Sequence, residues 1–219
     1  MSSQTQENYL KSIYKLCESS TEGASTNAIA EKLETKAAAV TEMLKKLSAQ
    51  KLVNYKKYHA VTLTAKGKKA ALGIIRNHRL WEVLLVNKLD FKWNEVHDMA
   101  EQLEHIKSEE LINRLDIFLG SPKFDPHGDP IPDKKGEIVK SESTPLNEVK
   151  VGDKAIITGV AEHSTEFLAY LNEVKLTLNQ KVKIKNVIDF DQSMQLLINN
   201  NKLLFISHRV AKNILVLCQ

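Results

Sequence analysis

The chain has 219 residues, 42% of them hydrophobic and 26% charged, and a formal net charge of +4; that is room for two or three small domains with real cores and the mix of an ordinary globular protein. Its two cysteines, Cys17 and Cys218, stand far apart and give no basis for a disulfide framework or a structural zinc site. The polar start shows no signal peptide and no apolar run reaches the roughly 18 residues of a membrane span, so a cytoplasmic protein with no membrane partner is expected.

Residues 5–18, TQENYLKSIYKLCE, set Tyr9, Leu10, Ile13, Tyr14, Leu16 and Cys17 at helical spacing and predict a first helix. Ser25 or Thr26 can cap a short second helix carrying Ile29, Ala30 and Leu33. Thr35 is expected to cap a third, from Lys36 to about Gln50, that buries Val40, Met43, Leu44 and Leu47. The run VNYKKYHAVTLT, residues 53–64, predicts two short strands around a basic tip at Lys56 and Lys57. Helix, short helix, turn, longer helix and two-stranded wing is the order of a winged helix-turn-helix, expected over 1–63.

Thr64 can cap a long helix running to about Lys88 in spite of Gly67 and Gly73. Residues 94–106 and 108–119 predict two more helices, capped by Asn94 and Ser108. Their apolar positions, among them Leu103, Ile106, Leu111, Ile112, Leu115 and Phe118, exceed what docking on a small domain requires, so a dimer seam is expected within 64–132. The segment SPKFDPHGDPIP, 121–132, holds four of the five prolines and ends the helical part. Residues 133–147 are polar and charged, as in a linker. From 148 to 219 the runs KAIITGV, QKVKIKNVIDF, MQLLINN and KLLFIS, with a helical patch near 164–174, predict a small barrel-like β domain. The fold class is therefore α+β and multidomain.

Charge is uneven along the chain. Residues 1–92 carry 16 basic and 8 acidic side chains, whereas 93–147 carry 6 and 12; a basic block followed by an acidic one suits a segment that meets phosphates and a segment that meets cations. The leading part of the third helix is expected in a major groove. Lys36 and Thr41 would reach phosphate or base edges there, while Ala37, Ala38 and Ala39 permit close approach and contact with thymine methyls. Lys45, Lys46, Lys56 and Lys57 are expected on phosphates, setting affinity and its salt dependence. With no Arg, Asn or Gln on the leading turn, specificity rests on methyl contacts, water and DNA shape.

The stretch VHDMAEQLEHI, residues 96–106, carries the chemistry. At about 100° per residue, with His97 at zero, Glu101 falls at about 40°, Glu104 at about −20° and His105 at about 80°, all on one helical face. His97 and His105 differ by roughly 12 Å in height at about 1.5 Å per residue, so one ion cannot hold both. Glu101, Glu104 and His105 can converge on one metal. The second cluster is expected from His97 with His78 and Glu82, which stand at i and i+4 in NHRLWE. Imidazole and carboxylate without thiolate suit Mn²⁺ or Fe²⁺, with Zn²⁺, Co²⁺ and Ni²⁺ able to bind by raw affinity.

An enzyme is not expected. No Glu-x-x-His pair on two helices, nucleophile motif, phosphate-binding loop or HExxH is present. Two alternatives stay open at this level: a DNA-binding regulator of another ligand, and a non-haem metalloenzyme.

Taken together, NYLKSIY at residues 8–14, NHRLWE, VHDMAEQLEH, HGDPIP and the C-terminal β runs resemble the diphtheria-toxin-repressor family of metal-dependent regulators over almost the whole chain. The resemblance implies a winged-helix DNA-binding domain, a helical dimerisation domain with two metal sites per subunit, and an SH3-like C-terminal domain. It also implies a homodimer that represses metal-uptake genes at double-stranded operator DNA when loaded with Mn²⁺ or Fe²⁺. By position, the primary site would use Asn8, Glu101, Glu104 and His105 and the ancillary site His78, Glu82 and His97, with His163 and Glu166 of AEHSTEF as further donors. Two departures stand out. The iron-sensing branch has methionine and cysteine where this chain has Asn8 and Glu101, and the manganese-sensing branch has acids where it has Asn8 and Lys11, which is no ligand while protonated.

Overall fold

In a computed structural model, which describes residues 3–18, 20, 22–140 and 142–219, the chain divides into two compact units. The first comprises Met1–His78, Glu101–Asn113 and Pro132–Ile138; the second comprises Arg79–Ala100, Arg114–Ile131 and Val139–Gln219.

The first unit opens with α1 (Gln4–Glu18), α2 (Thr26–Lys32) and α3 (Ala37–Ala49), followed by strands β1 (Val53–Asn54) and β2 (Thr62–Leu63). The strands pair antiparallel, Val53 with Leu63 and Asn54 with Thr62, and form the wing. The core is the apolar stripe of the three helices, with Leu10, Ile13, Ile29, Val40, Leu44 and Leu47 almost wholly buried, because apolar residues at helical spacing can leave water only together. Ser25 caps α2 by accepting from the Ala28 amide. Thr35 does not cap α3: its amide is spent closing the end of α2 on Ala30 O at 2.9 Å, and Lys36 takes the extended N-cap position without a side-chain bond.

Next comes α4 (Ala65–Leu89). Thr64 caps it as expected, accepting from the Gly67 amide at 3.1 Å and donating to Lys51 O at 2.8 Å. Gly67 sits inside a helix because a Cβ there would lie 1.9 Å from Leu52 O; close approach to the wing outweighs helix propensity.

Two shorter helices follow, α5 (His97–Leu103) and α6 (Glu109–Phe118). Ser108 caps α6 by accepting from the Leu111 amide at 3.2 Å. In contrast, α5 begins three residues later than the spacing predicts, and the Asn94 side-chain oxygen accepts from Asn172 instead of capping it. It also ends earlier. Ile106 N closes a tight turn on Leu103 O, so Glu104 and His105 lie in that turn and not on the helix with His97. The single four-residue helical face is thereby broken.

The second unit is built on a six-stranded antiparallel sheet of β3 (Thr144–Pro145), β4 (Lys154–Val160), β5 (Lys181–Val187), β6 (Met194–Ile198), β7 (Lys202–Ile206) and β8 (Ile214–Cys218), in the order β3-β8-β4-β5-β6-β7. Alternation along β4–β6 turns Ala155, Ile157, Val182, Ile184, Met194 and Leu196 inward. Leu168 and Leu171 of α7 (Thr165–Glu173) join the same core, and α8 (His208–Lys212) precedes the last strand. Residues 133–147 do not hang free as a linker. Ile138 packs on the first unit's core, and Leu146, just after β3, is fully buried in the second.

Candidate metal centres

The first cluster lies in the first unit, between α1, α4 and the turn after α5. Lys11 of α1 is buried, and its Nζ donates to Glu101 Oε1 and Glu104 Oε2, each at 2.5 Å. His78 Nδ1 is 3.2 Å from the same Nζ and 2.7 Å from Glu104 Oε2. Glu104 is 1% exposed, and Asn77 anchors its backbone by donating to the carbonyl at 3.1 Å. A carboxylate so deep must be compensated, and Lys11 does it; a buried pair cut at one end costs about 3–5 kcal/mol. The other Glu104 oxygen, Oε1, is buried without a hydrogen-bond partner, as is Asn8 Oδ1. His105 faces this side. Its Nδ1 is held at 2.6 Å by Glu7 Oε2, leaving Nε2 3.8 Å from Glu104 Oε1. That gap is shorter than two metal–ligand bonds of about 2.1 Å, and a carboxylate on the far ring nitrogen is the usual orienting partner of a ligating histidine. A cavity of about 280 Å³ lined by Glu7, Arg76, Asn77, Glu104, His105 and Lys107 opens beside these groups.

The second cluster lies wholly in the second unit. Glu82, Asp125 and His127 are all buried and offer one ligand atom each within 4.8 Å of one another. Two of the three come from the proline-rich segment, whose shape is set by its own polar groups. Asp125 Oδ1 accepts from the His127 and Asp129 amides at 2.8 and 3.0 Å. Arg79 clamps the loop through Asp129 at 2.8 Å and Pro130 O at 2.6 Å. Gly128, at φ +88°, passes so close to β4 that a Cβ would lie 2.1 Å from Thr158 O. His127 Nε2 is placed to donate to Trp93 O at 2.9 Å, which turns Nδ1 to Glu82 Oε2 at 3.6 Å and Asp125 Oδ1 at 4.0 Å. Burial, with the charges of Asp129 and Glu82, pushes the Asp125 carboxyl up to about 7. For His127, burial works downward but is outweighed by the Glu82 carboxylate and Asp125, so its pKa rises to about 9. Without metal, then, a proton on His127 joins the Arg79 guanidinium, 3.5 Å from Asp125, in supplying the positive charge that the carboxylates call for.

The residues expected to form two sites are thus regrouped. His78 and Glu82 were expected to chelate together, but His78 lies against Glu104 and Lys11 while Glu82 lies with Asp125 and His127. His97 is exposed, with Nδ1 3.7 Å from Glu82 Oε1. His163 is exposed and lies edge-on to the His127 ring, 5.4 Å between centroids. Glu166 sits exposed in the first turn of α7 beside a surface cavity that Glu162 and Arg209 also line.

Comparison with known proteins bears on the whole length. Residues 1–61 match the iron dependent repressor N-terminal DNA binding domain, 64–133 its metal binding and dimerisation domain, and 144–217 the FeoA domain. The diphtheria toxin repressor of Corynebacterium glutamicum is 31% identical over 170 residues, 78% of this chain and 72% of that protein. The chain belongs to the diphtheria-toxin-repressor family. Another member, the iron-dependent repressor IdeR of Mycobacterium leprae, is 37% identical over 130 residues, 58% of this chain; the match spans about half, 55%, of that relative's length. Among solved structures of the family, a manganese-dependent transcriptional repressor in complex with manganese superposes with a TM-score of 0.88 at 34% identity, covering 98% of this chain and 100% of that one. Family membership gives the second unit's sheet its SH3-like character and the first unit its winged helix.

The family's metal can be tested against the donors present. The second cluster fits a divalent ion: three buried hard donors converge, and the Trp93 carbonyl sets the imidazole. The first fits only in part, since an ammonium already occupies the Glu104 Oε2 side. Most of the side chains expected to meet DNA are open to solvent. Lys36, Ala38, Ala39, Lys45, Lys46, Lys56 and Lys57 are exposed. Thr41 is half-buried and donates to Ala37 O at 3.0 Å, and Lys45 pairs with Glu42 at 2.8 Å. Sequence reasoning missed Glu7, Asp125 and His127. Two acids flanking an imidazole in DPHGD was the available signal.

Proposed function

We propose that this chain is a metal-dependent transcriptional repressor that, loaded with Mn²⁺ or Fe²⁺, binds operator DNA as a homodimer and controls metal-uptake genes. What carries the reading is one conjunction: a winged helix whose leading turn presents exposed Ala37, Ala38 and Ala39, in the same chain as buried carboxylate–imidazole clusters. Hard oxygen and imidazole donors without thiolate favour Mn²⁺ or Fe²⁺. We assign Glu82, Asp125 and His127, rimmed by His97 and His163, to one site, and Asn8, Glu104 and His105 with Glu101 to a second, making two per subunit. Exposed Ile117 and Phe118 on α6 supply apolar surface for the dimer. The protein works in the cytoplasm, where operator and metal pool meet, and has no enzymatic role.

When bound, an ion supplies the charge that holds carboxylates and imidazoles together. The chain does the rest. Glu7, Asn8 and Lys11 all stand on α1, so fixing the first cluster fixes α1 against α5 and raises the fraction of dimers whose recognition helices match operator half-sites. The test is fluorescence anisotropy with a duplex from the promoter of the protein's own gene, run anaerobically with chelator, Mn²⁺ or Fe²⁺. Binding that requires metal is expected, and equal binding in chelator would refute the switch. Turnover of oxygen or peroxide by the metal-loaded protein would refute the non-enzymatic reading.

A further inference from the structure

Lys11 is the residue that the metal reading does not absorb. Its Nζ is enclosed by Glu101 Oε1 and Glu104 Oε2 at 2.5 Å and by His78 Nδ1 at 3.2 Å, on a side chain that is 7% exposed. Two carboxylates and an imidazole around one point are the donor set that a divalent ion would recruit, and here that point is a nitrogen of this chain. We propose that Lys11 is a resident cation: its ammonium takes the place of a divalent ion among His78, Glu101 and Glu104, and ties α1 to α5 without metal.

The geometry divides the first cluster at Glu104. Oε2 accepts from the ammonium, with His78 Nδ1 2.7 Å away. Oε1 and Asn8 Oδ1 are both buried without hydrogen-bond partners, and His105 Nε2 faces Oε1. An ion held by Glu101 Oε1 and Glu104 Oε2 would have to sit where Nζ is, and like charges shielded from water at such a separation repel strongly. The first cluster therefore holds at most one ion, on the Asn8, Glu104 Oε1 and His105 side. The position of α1, which other arrangements would leave to metal, is partly set beforehand, and control by metal shifts toward Glu82, Asp125 and His127. The inference rests on the proposed metal-binding function only for the ions bound elsewhere in the chain.

Two experiments on the full-length protein decide it. In the first, Mn²⁺ binding is counted from the electron paramagnetic resonance signal of free Mn²⁺ for the wild type, Lys11→Gln and Lys11→Glu. Lys11→Glu is expected to gain one equivalent per subunit over the wild type; a folded Lys11→Glu protein with the wild-type count would overturn the proposal. No Mn²⁺ bound by the wild type, with one equivalent gained by Lys11→Glu, would defeat the metal-dependent function and leave the Lys11 inference standing. The second experiment needs no variant. Reductive methylation read by peptide mass spectrometry is expected to leave Lys11 unmodified both in chelator and in saturating Mn²⁺, while exposed Lys56 and Lys57 react in both. Lys11 becoming reactive once Mn²⁺ is added would show that the ion displaces the ammonium, and would overturn the proposal even if both variants failed to fold.

Discussion

The two clusters are made of the same materials and differ in what neutralises them. Around Glu104, the positive charge belongs to Lys11, a side chain that cannot leave. Around Glu82 and Asp125, the Arg79 guanidinium stands 3.5 Å from Asp125, and the rest belongs to a proton on His127, which can leave. A lysine builds the cation into the fold and makes the structure around it independent of ion supply. A protonated histidine holds the place only until a metal competes for the same nitrogen. Donor identity alone does not mark a sensor site; what must be displaced to occupy it matters as much.

The largest effect that would break this contrast is loss of binding at the second cluster. His127→Ala removes the nitrogen at its centre and is expected to weaken Mn²⁺ binding there more than about 100-fold, beyond the loss typical of a ligand's orienting partner, as measured by competition with a metallochromic chelator. Next is stability. Lys11→Met leaves Glu104 buried without its ammonium partner and is expected to lower unfolding free energy by about 3–5 kcal/mol in urea. The solvent-exposed ion pair of Lys45 with Glu42 offers the control: Lys45→Met should leave the denaturation midpoint where it was.

Acidity sharpens the contrast further. His127, at about 9, and Asp125, at about 7, must each release a proton before their atoms can bind an ion. Mn²⁺ affinity at this cluster should therefore rise with pH, about tenfold per unit for each proton displaced, most steeply below pH 7 where both groups release protons, less steeply between 7 and 9 where His127 alone does, and levelling above 9. The sign for the metal-free fold is opposite for His127. Its pKa lies above the unfolded value near 6.5, so the stabilisation it draws from Glu82 is complete below that value and fades as pH climbs through about 9. Isothermal titration in buffers of different ionisation enthalpy would count the protons released. The smallest expected change is at the wing. Lys56→Ala with Lys57→Ala should weaken DNA binding several-fold at every sequence and reduce the slope of log affinity against log salt by about 1 per lysine, with Mn²⁺ binding untouched.

Much of this is legible in the sequence. Helical spacing in TQENYLKSIYKLCE and the wing in VNYKKYHAVTLT follow from which atoms can leave water together, and both appear where the pattern places them. Caps were harder. Thr64 does what a threonine before a helix should, but Thr35 is taken by the end of α2, a competition invisible when each helix is considered alone. The metal residues divide in the same way. Glu101, Glu104 and His105 stood out by type and spacing, yet the helix stops at Leu103, so the ideal-helix angles of Glu104 and His105 did not survive. Asp125 and His127 went unseen because their placement comes from Arg79 and β4, both distant in sequence from the loop they hold. The Lys11 ammonium among the carboxylates was likewise beyond reach, since its partners lie 90 and 93 residues away.

The most direct test of the central claim, that metal and DNA are coupled through this chain, is Mn²⁺ affinity measured with and without a saturating operator duplex. Linkage requires the duplex to tighten Mn²⁺ binding by the factor by which Mn²⁺ tightens DNA binding, and an increase of roughly 5- to 150-fold is expected, the range of ordinary allosteric coupling. An affinity for Mn²⁺ that stays the same when the operator is bound would contradict the account.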